Sequence, residues 1–468
     1  MIAFLLLVLH LMATCLVVLR IMLRDDISPT TRVAWVLLLL LLPITGLLVY
    51  FFFGEVRLSK RFLERVHHLE KMIGQPEDFP GVQEPGTAFA YATSINGFPA
   101  LPGNRAELLS GGEEARQRLI SDIEGARDHV YILYYIWLSD HTGVSTAQAV
   151  IRAARRGVRC RIMADALGSR AFIRSEHWQA MRDAGVELVA ALPLPTPLTL
   201  LTANRLDLRN HRKITIVDAQ TCYCGSQNCA DAAFLPKARF APWVDIMLRL
   251  EGPVVGQMQA LFAQGWFTER HGALTDFPEF EGDLEGGFYA QVVGTGPTVE
   301  HGTTAQLFSK LISQARQELI ISTPYFVPDE TVASALCGAA ASGIAVTLVL
   351  PRRNDSRFVA LASRSHYKRL LAAGAKIYEF EGGLLHAKTL TIDGQVTFLG
   401  SSNMDVRSFD LNFENDVLLR DPVITGQVRQ RQMAYIAESV PIDEASVRAW
   451  SGARRIVQNA CATISPIL

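Results

Sequence analysis

Hydrophobic residues fall along this chain in three patterns. From Ile2 to Leu19 they run with only His10 to interrupt them, and from Val33 to Phe53 they run for twenty-one residues without a charge. A run of about 20 apolar residues can cross roughly 30 Å of hydrocarbon as a helix. The two runs therefore predict two transmembrane helices within residues 1–54. A cleaved signal peptide is the alternative for the first run, but no basic stretch precedes it and no Ala-x-Ala site follows. Residues 74 to about 104, rich in Pro, Gly and polar side chains, predict a loose connection, so 55–104 reads as a juxtamembrane segment and linker.

In the third pattern, helical and strand periods alternate, and the alternation occurs twice. The first copy predicts helices at Glu113–Ala126, Thr146–Ala154 and Glu176–Ala184, with strands at Val130–Ile136, Val158–Ala164 and Val186–Ala190. The second predicts helices at Thr304–Ala315, Glu330–Ala341 and Val359–Ala373, with strands at Glu318–Thr323, Ala345–Leu350 and Lys376–Phe380. Such alternation implies an α/β fold of two repeated domains with mixed sheets, 105–272 and 273–468. A further helix is expected from Asp421 to Glu438, packing on the second copy.

Charge sharpens the division between head and body. Residues 1–54 carry only Arg20, Arg24, Arg32, Asp25 and Asp26, which leaves an almost balanced body in a chain of formal net charge −1. A body without bulk positive charge argues against a protein whose work is gripping nucleic acid. Arg57, Lys60, Arg61, Arg65 and Lys71, just past the second run, outnumber the basic residues between the runs, which leans toward a cytoplasmic body. Seven cysteines without framework spacing fit a reducing compartment. Cys222 and Cys224 fall on one face of an expected strand at Thr221–Gly225 and read as small apolar groups rather than metal ligands.

The copies carry chemistry at matching places. His211-Arg212-Lys213 is followed by Asp218 and then by Gly225-Ser226-Gln227-Asn228; His386-Ala387-Lys388 is followed by Asp393 and then by Gly400-Ser401-Ser402-Asn403. Fourteen residues separate His from Gly in both. With eight lysines and eleven histidines in the chain, one chance His-x-Lys-x4-Asp is expected about 0.01 times. The motif and its surroundings therefore repeat as one unit. On a strand, His and Lys share a face and the Asp lies at the turn beyond. Histidine can act as nucleophile or acid near neutral pH, and lysine supplies a positive charge for a phosphate oxygen. The Ser226, Asn228, Ser401 and Asn403 side chains are candidate donors to the same substrate group. Two copies facing one another would put two His and two Lys around one phosphorus. No carboxylate cluster or nucleotide-binding Gly-rich loop accompanies them, so the expected site needs no metal or cofactor.

These paired motifs resemble those of the phospholipase D superfamily, and the wider sequence resembles its bacterial cardiolipin synthases. The further marks are Pro43, Gly46, Tyr50 and Gly54 in the head, Asp140 with Gly143, Trp243-Val244-Asp245, Thr323-Pro324-Tyr325-Phe326, and Asn403-Met404-Asp405-Val406-Arg407-Ser408-Phe409 with Asn412-Phe413-Glu414. The resemblance implies two phospholipase D-like domains around one shared site at a lipid bilayer. It implies condensation of two phosphatidylglycerols into cardiolipin and glycerol through a phosphatidyl-histidine. It also implies that Asp245 and Glu414 orient the two histidines, leaving Asp218 and Asp393 chiefly structural. By the same analogy His211 is favoured as nucleophile and His386 as acid, with the reverse assignment open. A membrane-anchored hydrolase of phospholipase D type, or another phosphatidyltransferase of the same fold, is the alternative activity.

The copies also differ. The first holds 14 extra residues before its catalytic strand, around Leu192–Leu201, where three prolines exclude a helix and Leu194, Leu198 and Leu201 suggest an apolar loop that touches lipid or packs as a cover. After Asn228 the first copy reads Cys-Ala-Asp, where the second reads Met-Asp-Val-Arg-Ser after Asn403, so the halves cannot be equivalent.

Overall fold

In a computed structural model of the protein, residues 1–56, 64, 85–193, 207–269 and 285–465 are described. One sheet of sixteen strands runs through the body. In the first half, His129–Tyr134, Arg159–Asp165 and Glu187–Ala191 lie parallel, and Lys213–Val217, Thr221–Gly225 and Met247–Glu251 continue the sheet antiparallel. The second half repeats this order: Glu318–Ser322, Ala345–Pro351 and Lys376–Phe380 are parallel, and Thr389–Ile392, Val396–Gly400 and Asn412–Arg420 are antiparallel. Parallel strands with helices on their faces are buried on both sides, and all six residues of His129–Tyr134 are buried. The helix Gly112–Gly125 covers this sheet with Ala115, Leu119 and Ile123, one stripe at helical spacing. Each fully buried Leu or Ile of that kind contributes about 1.5–3 kcal/mol. The expected helix Val359–Ala373 is two pieces, Arg357–Ser365 and Tyr367–Ala372, which meet at His366. Cys222 and Cys224 are buried in the strand where they were expected.

Two expectations are corrected. The connection before residue 105 is structured at its end: Thr87–Asn96 is a helix, and Leu101–Leu108 is a strand. That strand pairs antiparallel with Met247–Glu251 on one side and Phe288–Thr295 on the other, so it joins the two halves into one sheet. Pro102, Gly103 and Asn104 disguise it, but they form a local irregularity that the Asn104 side chain repairs. Its Nδ2 donates to Leu101 O (2.6 Å) and Phe288 O (3.1 Å), and its Oδ1 accepts from Val254 N (2.8 Å).

The head is the second correction. Ile2–Met22 is one helix, and Phe4–Met22 is long and apolar enough to cross a membrane. The second apolar run breaks at Leu42 into Pro29–Leu41 and Pro43–Phe53, because a proline has no N–H to continue the ladder. The pieces fold back closely, and a Cβ at Gly46 would lie 2.8 Å from Leu38 O. At 1.5 Å per residue they span roughly 20 and 17 Å, each short of the hydrocarbon thickness. At the base of the head, Glu55 takes Arg20 Nε at 2.5 Å and the Tyr50 hydroxyl at 2.7 Å. Leu194, Leu198 and Leu201 of the insertion lie outside the described residues, as do Arg57, Lys60, Arg61, Arg65 and Lys71.

Candidate active site

The two catalytic motifs meet through short crossings between the halves. Arg209–Asn210, just before His211, pairs in parallel with Asn412–Phe413 of the other half, just before Glu414. Leu384–Leu385, just before His386, pairs in parallel with Trp243–Val244, just before Asp245. Parallel register then puts the next residue of each segment side by side. The His211 N–H donates to Phe413 O at 2.9 Å and the His386 N–H to Val244 O at 2.8 Å. The histidine of each half therefore meets the carboxylate of the other. His211 Nδ1 lies 2.7 Å from Glu414 Oε2, and His386 Nδ1 lies 2.6 Å from Asp245 Oδ1. A carboxylate at Nδ1 fixes the tautomer in which Nδ1–H donates, and it leaves Nε2 of each ring for substrate.

The lysines are equally matched. Lys213 Nζ donates to His211 O at 2.5 Å and Lys388 Nζ to His386 O at 2.7 Å, so each ammonium is folded back beside its own histidine. The trailing glycines give the close approach that the carboxylates need. A Cβ at Gly225 would lie 2.2 Å from Ile246 O, and one at Gly400 would lie 2.4 Å from Asn415 O. The residues after them differ from the sequence reading. Ser226 Oγ donates to Asp245 Oδ1 (2.6 Å) and accepts from Ile246 N (3.0 Å); Ser401 Oγ donates to Glu414 Oε2 (2.5 Å) and accepts from Asn415 N (2.8 Å). With their protons committed, the serines position the carboxylates. Asn403 Nδ2 donates to Ser408 Oγ at 3.2 Å while its buried Oδ1 has no partner among the described residues, and Asn228 Oδ1 accepts from Ile136 N at 3.2 Å.

Burial sets the electrostatics. It pushes His211 well below the ordinary imidazole range, helped by the charges of Lys213 and Lys388. Burial and Lys388 likewise bring His386 down to about 4, against the opposing pull of Asp245. Lys213 falls to about 8 through burial, and Lys388 to about 7 through burial and the nearby Lys213. The carboxylates diverge. Burial raises Glu414 above the usual range, with Lys213 only partly offsetting it. For Asp245, burial is outweighed by His386 and Lys388, and the group is held below the usual range. Crowded, mutually repelling cations of this kind accept an anion readily, and a phosphodiester between the lysines reverses their depression.

Asp218 and Asp393 are not part of this convergence. Each follows the strand that its lysine precedes or begins, roughly 16 Å along. Asp218 accepts from the N–H groups of Arg127, Asp128 and His129 at 2.8–2.9 Å. Asp393 does the same for Arg316, Gln317 and Glu318, each at 2.8 Å. Both tie down the start of the adjacent central strand, a structural role away from the reacting groups. Conversely, Tyr135, which falls within the expected strand Val130–Ile136, packs its ring edge-on to His211 at 5.0 Å and lies 5.8 Å from Lys213 Nζ. Trp243 packs on His386 at 4.6 Å. Its position immediately before Val244-Asp245 was the available signal.

A family model described as "Cardiolipin synthase, PLD-like domain" matches residues 119–266 and again 308–434, and one described as "Phospholipase_D-nuclease N-terminal" matches 11–55. The cardiolipin synthase A of Proteus mirabilis (strain HI4320) is 36% identical over 463 residues, covering 94% of this chain and 93% of that protein. That of Edwardsiella ictaluri (strain 93-146) is 34% identical over 468 residues, covering 97% and 96%. Among solved structures, phosphatidylserine synthase from Haemophilus influenzae Rd KW20 shares the fold with a TM-score of 0.62 at 14% identity, over 82% of this chain and all of that one.

Proposed function

The chain belongs to the cardiolipin synthases of the phospholipase D superfamily and is a phosphatidyltransferase, and from that premise we propose how its residues divide the work. Phosphatidylglycerol is both donor and acceptor. Lys213 and Lys388 hold the non-bridging oxygens of the donor phosphate. His211 Nε2 attacks phosphorus, the bond to the head-group glycerol breaks, and His386 gives its Nε2 proton to the departing oxygen, releasing glycerol. The terminal hydroxyl of a second phosphatidylglycerol then attacks the phosphatidyl-histidine. His386 takes that proton back, the P–N bond breaks, and cardiolipin leaves with His211 restored.

The observation that carries this reading is the crossed geometry, in which each histidine is held at Nδ1 by the other half's carboxylate and keeps Nε2 for substrate; the choice of His211 as nucleophile follows the resemblance. Asp245 is held below the usual range and so remains an anion beside His386, and the negative charge of a bound phosphodiester adds to it, raising the ring from its depressed value so that an imidazolium can act as the acid. Glu414 is pushed up by burial, and burial with the charges of Lys213 and Lys388 keeps His211 neutral, as a nucleophile must be. Incubating the purified protein with phosphatidylglycerol should give cardiolipin and glycerol. Phosphatidic acid as the main product would favour hydrolysis instead. His386→Ala should still exchange phosphatidyl groups with an activated leaving group and His211→Ala should not; labelled lipid trapped on His211→Ala would reverse the assignment.

We further propose that the first helix and the bent pair Pro29–Leu41 and Pro43–Phe53 both lie in the bilayer, with the body on the cytoplasmic side. The basic residues on both flanks of the second apolar run support this. Thiol labelling of single cysteines at positions 26 and 110 from either side of sealed vesicles would test it: the bond of Arg20 to Glu55 supports position 26 lying on the same side as position 110, and labelling of the two from opposite sides would refute the proposal.

A further inference from the structure

The stretch between the catalytic motif and the carboxylate differs between the halves, and the difference has a place in space. Glu414 follows Asn403 by 11 residues, and the intervening helix Val406–Asp410 buries Ser408 and Phe409. Asp245 follows Asn228 by 17 residues, and the longer stretch turns outward. Positions 232–242 read Ala-Ala-Phe-Leu-Pro-Lys-Ala-Arg-Phe-Ala-Pro: two cations, no acid and no uncharged polar side chain. The 3-10 turn Leu235–Phe240 buries none of its residues, and Leu235 is 72% exposed.

This turn lies directly above the chemistry. Phe234 stacks on Trp243 at 3.9 Å, and Trp243 packs on His386. Lys237 reaches across the halves to Asp355, which also accepts from the Tyr325 hydroxyl at 2.7 Å, while Arg239 lies over the Phe240 ring at 4.7 Å. Beyond Asp355, Arg353 and Arg357 are exposed. The membrane head approaches the same edge of the sheet. Thr295 pairs with Glu414 at the site, and His301, six residues on, lies within electrostatic reach of Asp26 in the loop after the first helix.

Resting on the lipid substrate of the reading above, we propose that the turn Leu235–Phe240 is a membrane-docking lip: Leu235 enters the acyl boundary of an anionic bilayer while Arg239 meets its phosphates. Apolar residues flanked by cations, with no acid among them, are what an anionic interface selects. The lip brings the His386 side of the site against the lipid surface from which substrate is drawn.

The full chain reconstituted in phosphatidylglycerol vesicles tests this in two ways. A Leu235→Trp variant should show additional tryptophan emission, relative to the parent, that is quenched by lipids carrying a nitroxide near the head of the acyl chain; unquenched additional emission would overturn the proposal. Leu235→Ser with Arg239→Gln should lower turnover of long-chain phosphatidylglycerol in vesicles by about tenfold, yet change turnover of a soluble short-chain analogue less than about twofold. Equal loss on both substrates, or none on either, would also overturn it. The quenching readout is independent of product identity, so it separates failure of the lip from failure of the synthase reading.

Discussion

Replacing Asp245 by asparagine removes one negative charge 2.6 Å from His386 Nδ1 and keeps the side-chain shape. Ser226 and the Ile246 N–H still hold the segment, so the fold should persist. Two unit charges about 4 Å apart at an effective dielectric of about 20 interact by about 4 kcal/mol. Asp245 is 12% exposed, so some screening applies, and a loss of about 2–4 kcal/mol of imidazolium stabilisation is expected. That corresponds to roughly a 30- to 1000-fold fall in the step that protonates the leaving oxygen. The assay compares two donors in the same detergent: phosphatidylglycerol, whose glycerol needs a proton to leave, and phosphatidyl-p-nitrophenol, whose leaving group does not. Cardiolipin formation should fall by the full factor, while p-nitrophenol release stays within a few-fold of the parent. Equal loss with both donors would refute the assignment of His386 as the acid, and no loss with either would refute the role of the crossed carboxylate.

Other outcomes follow from the same geometry. Lys388 and Lys213 sit near 7 and 8 in the free enzyme, and a bound diester raises both. Binding of glycerophosphoglycerol should therefore take up protons above about pH 7 and weaken as pH climbs further; calorimetry in buffers of different ionisation enthalpy reads the uptake, and zero uptake at pH 8 would count against the lysines as phosphate ligands. Ser401→Ala removes the hydroxyl that holds Glu414 and should cut kcat by about tenfold with KM nearly unchanged, whereas a rise in KM alone would restore the serine to substrate binding. Asp393→Ala leaves three backbone N–H groups without their acceptor and should cost about 1–3 kcal/mol, seen as a lower Tm, with specific activity of the folded fraction retained; inactivity at full stability would return the residue to catalysis. Gly400→Ala should lower stability and activity together, because the new Cβ meets Asn415 O; a fully active variant would contradict the close approach.

The repeated strands were legible because buried parallel strands read as apolar runs, and the paired His-x-Lys motifs were legible because their spacing is improbable. The strand Leu101–Leu108 was hidden because its identity comes from neighbours on both sides, Met247–Glu251 and Phe288–Thr295, while its own Pro102 and Gly103 read as a loop. Pro43 was visible, but charge-free length outweighed it in the reading of the second apolar run. Asp245 and Glu414 came from resemblance; which histidine each would meet depends on two-residue crossings that no spacing encodes. The serines were misplaced for a related reason. A hydroxyl beside a phosphate site looks free until the strand after it brings a carboxylate within 2.6 Å.

The crossed carboxylates also govern traffic. Each histidine is held by the opposite half, and Leu101–Leu108 stitches the halves along their length. Parting the halves like jaws would break both histidine–carboxylate bonds and both short crossings at once. The site is therefore a fixed doorway rather than a gate: on the proposed reaction, donor and acceptor must enter, and glycerol and cardiolipin must leave, without the halves parting.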